Sequence, residues 1–358
     1  MLDPAFQPRR VILVVSPDME RRADWLEAVL RPRGVRIERW PVADAWNLED
    51  LQERILLLLE RECEAVAARA IALNATGGTK PMSIAAYETF RAYGLPIFYV
   101  HPEKDRLIWM HPGGRPAVDL ENRVRLGSFL MAHGTRVASS KTDGVPEELR
   151  DLTASLVTDT RTYRRALGVL NWLANRAEGG LVSPPMESRQ LHDEALQTLL
   201  DRFANAGILE VRGVRLRFPD EPARFYANGG WLEEHVYDIL RARRAEAPHI
   251  QDLARSMEIV RETIRGDEVP NELDVVCLAD NRLYLVECKT RAWKNTVSPD
   301  LGASALYRLD TLTDLLGGLQ AKAMLVSYQA LPGHVLRRAA DLGVRVCAGT
   351  RLAELAAD

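Results

Sequence analysis

The spacing of apolar and polar positions changes several times along the chain and divides it into three parts. Val11 to Val15 is an unbroken β-branched run after two arginines, which predicts a buried parallel strand. Ser16-Pro17-Asp18 then turns, and Arg21 to Leu30 carries helical spacing. Val35 to Trp40 is a second short strand, Leu48 to Ala68 a leucine-rich helix, and Ala70 to Leu73 a third strand. That strand stops at Asn74-Ala75-Thr76-Gly77-Gly78-Thr79-Lys80. Pro81 then stands in the first turn of a helix reaching Tyr93, where its missing N–H costs nothing. Ile97 to Val100, Leu107 to Met110 and Ala117 to Leu120 follow as strands. Strand and helix alternate, so the expected fold is α/β, a Rossmann-like doubly wound parallel sheet over residues 1–145.

From 146 to 224 the pattern turns helical, with segments at Leu149–Leu156, Thr162–Asn175 and Gln190–Ala206. Two short apolar runs, Ile208–Val211 and Val214–Phe218, flank Arg212-Gly213. Helices followed by a tight hairpin outline a winged helix. Such a segment reads first as a dimerising or spacer domain and only second as a DNA-reading head, because fold does not settle function. From 225 to 358 a helix, Gly230 to Arg243, precedes an amphipathic or strand-like Glu258–Arg265. Strands are expected at Leu273–Leu278 and Arg282–Lys289 around an Asp280-Asn281 turn. A helix at Leu306–Leu316, a strand at Ala323–Ser327, a helix at Val335–Leu342 and a strand at Val344–Cys347 complete the pattern.

Composition narrows the classes. At 358 residues the chain exceeds what one core supports, consistent with several domains. A net charge of −3 excludes a basic nucleic-acid coat, so any nucleic-acid surface must be a local patch. The four cysteines, Cys63, Cys277, Cys288 and Cys347, form no Cys-x-x-Cys pair and read as small core residues in a reducing cytoplasm, not as zinc ligands. No signal-peptide pattern opens the chain, and apolar runs such as Ile55–Leu59 are too short to cross a membrane.

The chemistry concentrates in Asn271-Glu272-Leu273-Asp274 and Leu285-Val286-Glu287-Cys288-Lys289. Residues two apart on a strand share a face, so Glu287 and Lys289 point one way while Val286 and Cys288 enter the core. Pairing across the tight turn brings Asp274 beside Glu287. Two close carboxylates repel and desolvate one another, a cost that Mg²⁺ or Mn²⁺ relieves. A lysine beside them can orient water or neutralise charge on a phosphoryl transition state. Charged strand residues are usually only a solvated face, but here apolar neighbours surround them, and unpaired buried charge is expensive. Asp274 with Glu287-Cys288-Lys289 resembles the PD-(D/E)xK nuclease core. In that family a helix before the hairpin commonly adds a glutamate. Gly229-Gly230-Trp231-Leu232-Glu233-Glu234 supplies one, Glu233 being preferred to Glu234. The resemblance implies Asp274, Glu287, Lys289 and Glu233 as catalytic residues, with Asp274, Glu287 and Glu233 as metal ligands. Leu273 stands where the motif's proline would be.

The Asn74–Lys80 loop opens a helix, and its glycines permit close approach of a phosphate. Neither the Walker A pattern nor Gly-x-Gly-x-x-Gly is present, and a plain tight turn fits equally well on physical grounds. With Pro81 and Met82 it resembles the loop of CRISPR-associated Rossmann-fold (CARF) sensors, which bind cyclic oligoadenylates. The resemblance implies ligand contacts from Asn74, Thr76, Gly77, Gly78, Thr79, Lys80 and Met82, and from Ser16, Pro17, Asp18 and Met19 after the first strand. The whole chain resembles the CARF nucleases that act as ancillary effectors of type III CRISPR immunity. That implies a homodimer, activation by cyclic tetra-adenylate, and cutting or nicking of DNA, and for some members of RNA. A CARF transcription regulator without catalysis and a constitutive restriction-type nuclease are the alternatives. A sensor that degrades its own ligand stays open as well, and His133, after the sensor strands, is either near the ligand or structural.

Overall fold

The computed structural model describes residues 7–65, 71–101, 103–291, 293 and 300–355. Two compact units emerge: residues 1–136 with 261–269, and residues 137–260 with 270–358.

The first unit begins with β1 (Arg10–Val15), α1 (Glu20–Leu30), β2 (Arg36–Pro41) and α2 (Leu48–Ala65). Then come β3 (Leu73–Asn74), α3 (Lys80–Ala92), β4 (Ile97–His101), β5 (Arg106–His111), β6 (Val118–Asp119) and α4 (Leu126–Ala132). β1 and β2 pair in parallel, as do β3 and β4. The expected all-parallel sheet is corrected at β5 and β6, which both run antiparallel. The link before β5 is too short for a crossover helix, so the chain can only turn back. Part of the expected third strand (Ala70) and the end of the second helix lie outside the described residues. Val14 packs against both apolar clusters of this unit, one around Leu59, Phe90 and Ile97, the other around Leu51 and Ala85. On the α1–β2 face Arg39 is held by Glu20, Asp24 and Glu27, each at 2.6 Å. Those bonds raise the affinity of Arg39 for its proton and lower that of Glu27.

In the second unit β7 (Thr135–Lys141) leads to α5 (Glu147–Thr158), α6 (Thr160–Arg176), α7 (Ser188–Leu191) and α8 (Glu194–Asn205). The hairpin β8 (Glu210–Arg212) and β9 (Arg215–Arg217) follows, then α9 (Glu221–Phe225) and α10 (Trp231–Glu246). The long strands β10 (Ile250–Glu262) and β11 (Glu268–Ala279) precede β12 (Arg282–Lys289), α11 (Asp300–Gly317), β13 (Lys322–Ser327), α12 (Gly333–Asp341) and β14 (Arg345–Ala348). The six-stranded sheet has the order β14-β13-β12-β11-β10-β7. Because β7 joins this sheet, the compact first unit ends at 136, ahead of the expected boundary near 145. β11 and β12 are antiparallel, while β12, β13 and β14 are parallel. Asp280 and Asn281 both take positive φ, 46° and 53°, the backbone of a two-residue turn whose twist suits paired strands.

Helices α5, α6 and α8 share one apolar core with this sheet, including Leu156, Leu167, Leu170, Phe203, Trp231, Val275, Val326 and Tyr328. The helical connector and the strands of the last third are thus one folding unit. Trp231 and Tyr328 meet edge to face at 5.4 Å. Full burial of a leucine or phenylalanine here contributes roughly 1.5–3 kcal/mol. Cys277, Cys288 and Cys347 are buried in this core. Among the described residues, no helix is long and apolar enough to cross a membrane.

Candidate functional site

The strand β12 alternates as its sequence demands. Val286 and Cys288 enter the core, and Glu287 and Lys289 project from the other face. Val275 pairs with Val286 across the ladder, which sets Asp274 next to Glu287. The Cys288 amide donates to Asp274 Oδ2 at 2.6 Å, and Lys289 Nζ forms an ion pair with Glu287 Oε1. Glu233, in the first turn of α10, accepts from Ser256 Oγ at 3.4 Å. Burial, followed by the charges of Asp274, Glu272 and Glu287, pushes Glu233 up to about 9. Burial and the charge of Glu287 push Asp274 up to about 7, although Lys289 and the Cys288 amide oppose this. Burial alone would lower Lys289, but Glu287 and Asp274 reverse this and hold it above the ordinary lysine value.

Glu234 faces elsewhere. It lies 3.5 Å from Arg255, and burial raises its affinity for a proton. Of the two glutamates, Glu233 is the one that feels Asp274, Glu272 and Glu287. Among the described residues no three His, Cys, Asp or Glu side chains converge closely enough to hold an ion. The oxygens have local partners: Lys289 on Glu287, the Cys288 amide on Asp274, Ser256 on Glu233. The donor chemistry nonetheless fits a hard divalent cation. The carboxylates outnumber the one ammonium among them, and the raised proton affinities of Asp274 and Glu233 register the uncompensated charge.

Support for this cluster comes from residues that sequence reasoning passed over. Ser256 takes φ 43° inside β10, a rare conformation for a strand serine, and its hydroxyl meets Glu233. Thr290, directly after Lys289, is buried against Asn171 of α6, with Thr290 Oγ1 2.9 Å from the amide. The amide orientation that satisfies both its ends accepts from Thr290 and donates to Ala227 O and Leu167 O. Gly229 has φ 110°, and a Cβ there would stand 2.2 Å from Thr290 Oγ1. The adjacent glycines before Trp231 were the visible signal for that close approach.

The loop of the first unit is built differently. Asn74 Oδ1 accepts from the Thr76 amide at 3.0 Å and the Thr76 hydroxyl at 2.6 Å, and Thr76 Oγ1 accepts from the Val100 amide. Thr79 caps α3 by accepting from the Met82 amide and donates to Ala45 O. Gly77, Gly78 and Lys80 are exposed. Gly78 has φ 90°, and Gly77 has nothing within 4 Å of a would-be Cβ. Ser16 is buried and donates to Asp18 Oδ1, which lowers the proton affinity of Asp18. Pro17 to Met19 form one 3-10 turn, with Met19 exposed. His133 stacks on Phe129 and bonds its carbonyl, a structural role. Beside the loop lies an open hollow of about 730 Å³, lined by Ala75, Ile84, Tyr87, Tyr99 and Met110 among others.

Two family models match the chain: the Card1 CARF domain over residues 2–127, and the Card1-like endonuclease domain over residues 220–357. The chain joins a Card1-type CARF domain to a Card1-like endonuclease domain. Among solved structures, protein VC1899 from Vibrio cholerae is similar at 29% identity, over 99% of this chain and 91% of that one, with a TM-score of 0.87. Can2 from Sulfobacillus thermosulfidooxidans, solved with cyclic tetra-adenylate, is similar at 27% identity over 99% and 92%, with a TM-score of 0.80. A type III CRISPR defence DNA nuclease activated by cyclic oligoadenylate shares the fold at 20% identity, over 94% of this chain and 46% of that one, with a TM-score of 0.53. None of the curated proteins matched. The carboxylate cluster belongs to the Card1-like endonuclease domain, and the Asn74–Lys80 loop to the CARF domain.

Proposed function

We propose that this protein is a nuclease of type III CRISPR defence, switched on by cyclic tetra-adenylate and cutting or nicking DNA. The observation that carries the catalytic half is the side-by-side placement of Asp274, Glu287 and Lys289 at the end of β12, with Glu233 near enough to feel the carboxylates' charge; Asp274 and Glu233 hold protons far more tightly than ordinary carboxylates. The likeness to Can2, solved with cyclic tetra-adenylate, supports the sensing half.

Asp274 and Glu287 would hold Mg²⁺ or Mn²⁺, with Glu233 beside them. When bound, the ion polarises a phosphodiester and lowers the pKa of a water. The Cys288 amide fixes Asp274, so one carboxylate oxygen is oriented before any substrate arrives. Lys289 supplies a localised positive charge to oppose the negative charge that develops as the phosphate is attacked.

In the sensor, Thr76, Thr79 and Lys80 would meet the ring's phosphates and sugars, with the Ser16–Met19 turn as second contact. A four-nucleotide ring has near two-fold symmetry, which suits the dyad of a homodimer presenting one loop from each subunit. The apolar hollow beside the loop, with Ile84 and Met110 exposed, supports a self-associating surface. The ring activates only as far as it prefers the closed dimer, and a hundredfold activation needs about 2.7 kcal/mol of preference.

The test is cleavage of supercoiled plasmid, single-stranded DNA and RNA in Mn²⁺ or Mg²⁺, with and without cyclic tetra-adenylate, beside a Glu287→Ala/Lys289→Ala variant. Ring-dependent cutting that the variant loses supports both halves. Ring-independent cutting keeps the nuclease and removes the switch. Absence of cutting on every substrate overturns the nuclease.

A further inference from the structure

Helix α6 carries a surface that the catalytic cluster does not use. From Thr160 to Arg176 it contains four arginines and no acidic residue. Taken at 100° per residue, Arg161, Arg165, Gly168, Trp172 and Arg176 fall within about 80° of one another, with Arg164 flanking them. All six are exposed, and Trp172 is 46% exposed. The opposite side, Tyr163, Ala166, Leu167, Leu170, Leu173 and Ala174, is buried in the unit's core.

Two contrasts give this stripe meaning. Arg39 and Arg61 of the first unit are each held by two or more carboxylates. Among the described residues, none of the four on α6 is in an ion pair. Second, α8 occupies the place of a recognition helix ahead of the β8–β9 hairpin, yet its exposed positions at helical spacing are Glu194, Thr198, Asp201 and Asn205. That face repels phosphate. The α8 face therefore departs from the winged-helix mode of reading DNA, and among the connector's helices α6 is the one with an exposed arginine stripe.

The placement of α6 is set by the catalytic strands. Asn171 packs on Thr290, the residue after Lys289, and Gln329 Nε2 donates to Arg164 O at 3.2 Å. Arg164 and Asn171 thus anchor α6 at the carboxyl ends of β12 and β13, the end of the sheet that holds Glu287 and Lys289.

We infer that the exposed face of α6 is a track for the nucleic-acid substrate, with Arg161, Arg165 and Arg176 on phosphates along one strand and Trp172 stacking on an unpaired base. The arginines span ~22 Å of helix axis, enough for several nucleotides. Cationic grooves with an interposed aromatic ring hold single strands, since every base has a face to stack and every phosphate a charge to neutralise. Gly168, with nothing within 4 Å of a would-be Cβ, keeps the space beside Trp172 open. The inference rests on the nuclease reading of the carboxylate cluster.

The test uses the full-length protein carrying Glu287→Gln to prevent cutting. Fluorescence anisotropy follows a labelled single-stranded oligonucleotide and its duplex across about 50 to 200 mM salt, with cyclic tetra-adenylate present. Arg161→Ala/Arg165→Ala/Arg176→Ala should weaken binding at least tenfold and flatten the log–log salt slope by ~2, because each lost phosphate contact removes ~0.7 on a single strand. The triple lysine variant should recover most of the slope. Trp172→Ala should weaken the single strand roughly tenfold, and more than the duplex. Glu194→Ala/Asp201→Ala should not weaken either. A triple alanine variant with parental affinity and slope, and an unchanged melting curve, overturns the track. If that variant also cuts normally once Glu287 is restored, the nuclease stands without the track. If wild-type protein neither binds nor cuts any nucleic acid, both readings fall together.

Discussion

The two functional regions handle their polar groups in opposite ways. In the loop of the CARF domain, Asn74 and Thr76 satisfy one another, Thr76 and Thr79 bond the nearby backbone, and Gly77, Gly78 and Lys80 are exposed. At the end of β12, carboxylates are pressed together in a buried place, and Asp274 and Glu233 give up their protons reluctantly. The difference matches the roles proposed for the two regions. A loop that receives a large polar ring needs a shape held at low cost, with donors facing outward. A centre that polarises a phosphodiester needs concentrated charge, and concentrated charge is unstable until something compensates it.

If that contrast is right, the largest effects come from the buried side. Asp274→Asn should reduce plasmid cleavage about a thousandfold, while cyclic tetra-adenylate binding, read by calorimetry, keeps its affinity. Lost ring binding would mean that the two regions are not separable in this way. Next in size, Lys80→Ala should raise the activator concentration for half-maximal cutting roughly 10- to 100-fold, the worth of one charge-assisted hydrogen bond. Its cleavage rate at saturating activator should match wild type. A fall in that saturated rate instead would place Lys80 in the switch rather than in binding.

The smallest effect concerns pH. In metal-free protein Glu233 keeps its proton up to about pH 9, whereas in the unfolded chain it loses it near the ordinary carboxylate value. Across that window the folded state holds more protons, so stability falls as pH rises. The melting temperature of the chelated protein should fall by a few degrees, roughly, between pH 5 and 9. Glu233→Gln should flatten the fall, and Mn²⁺ should reverse it in wild type. An unchanged slope in Glu233→Gln would show that Glu233 is not the strained group.

Much of this was legible because strand chemistry has a short period. Glu287 and Lys289 interrupt an apolar run, and a two-residue turn fixes the register that sets Asp274 beside them. The helical glutamate was narrower, since Glu233 and Glu234 are neighbours on one turn. What separates them is Arg255, more than twenty residues away in sequence and beyond any local pattern. Ser256 was invisible for a related reason: a left-handed residue inside a strand comes from pairing on both sides, not from serine's own preference. The reversal at β5 was missed because alternating elements alone do not say which neighbour a strand takes, and β7, which joins the larger sheet, was not expected as a strand at all.

The turn between β10 and β11 has a consequence for how the chain is made. Residues 261–269 belong to the first compact unit. Glu262 accepts from the Trp25 indole at 2.9 Å, pairs with Arg21, and its amide donates to Gly134 O at 2.7 Å. A protein emerging from the ribosome amino end first exposes Trp25 long before Glu262 exists. The sensor is therefore completed only after more than a hundred further residues have been synthesised, and a fragment ending at 136 would leave Trp25 and Arg21 without that carboxylate.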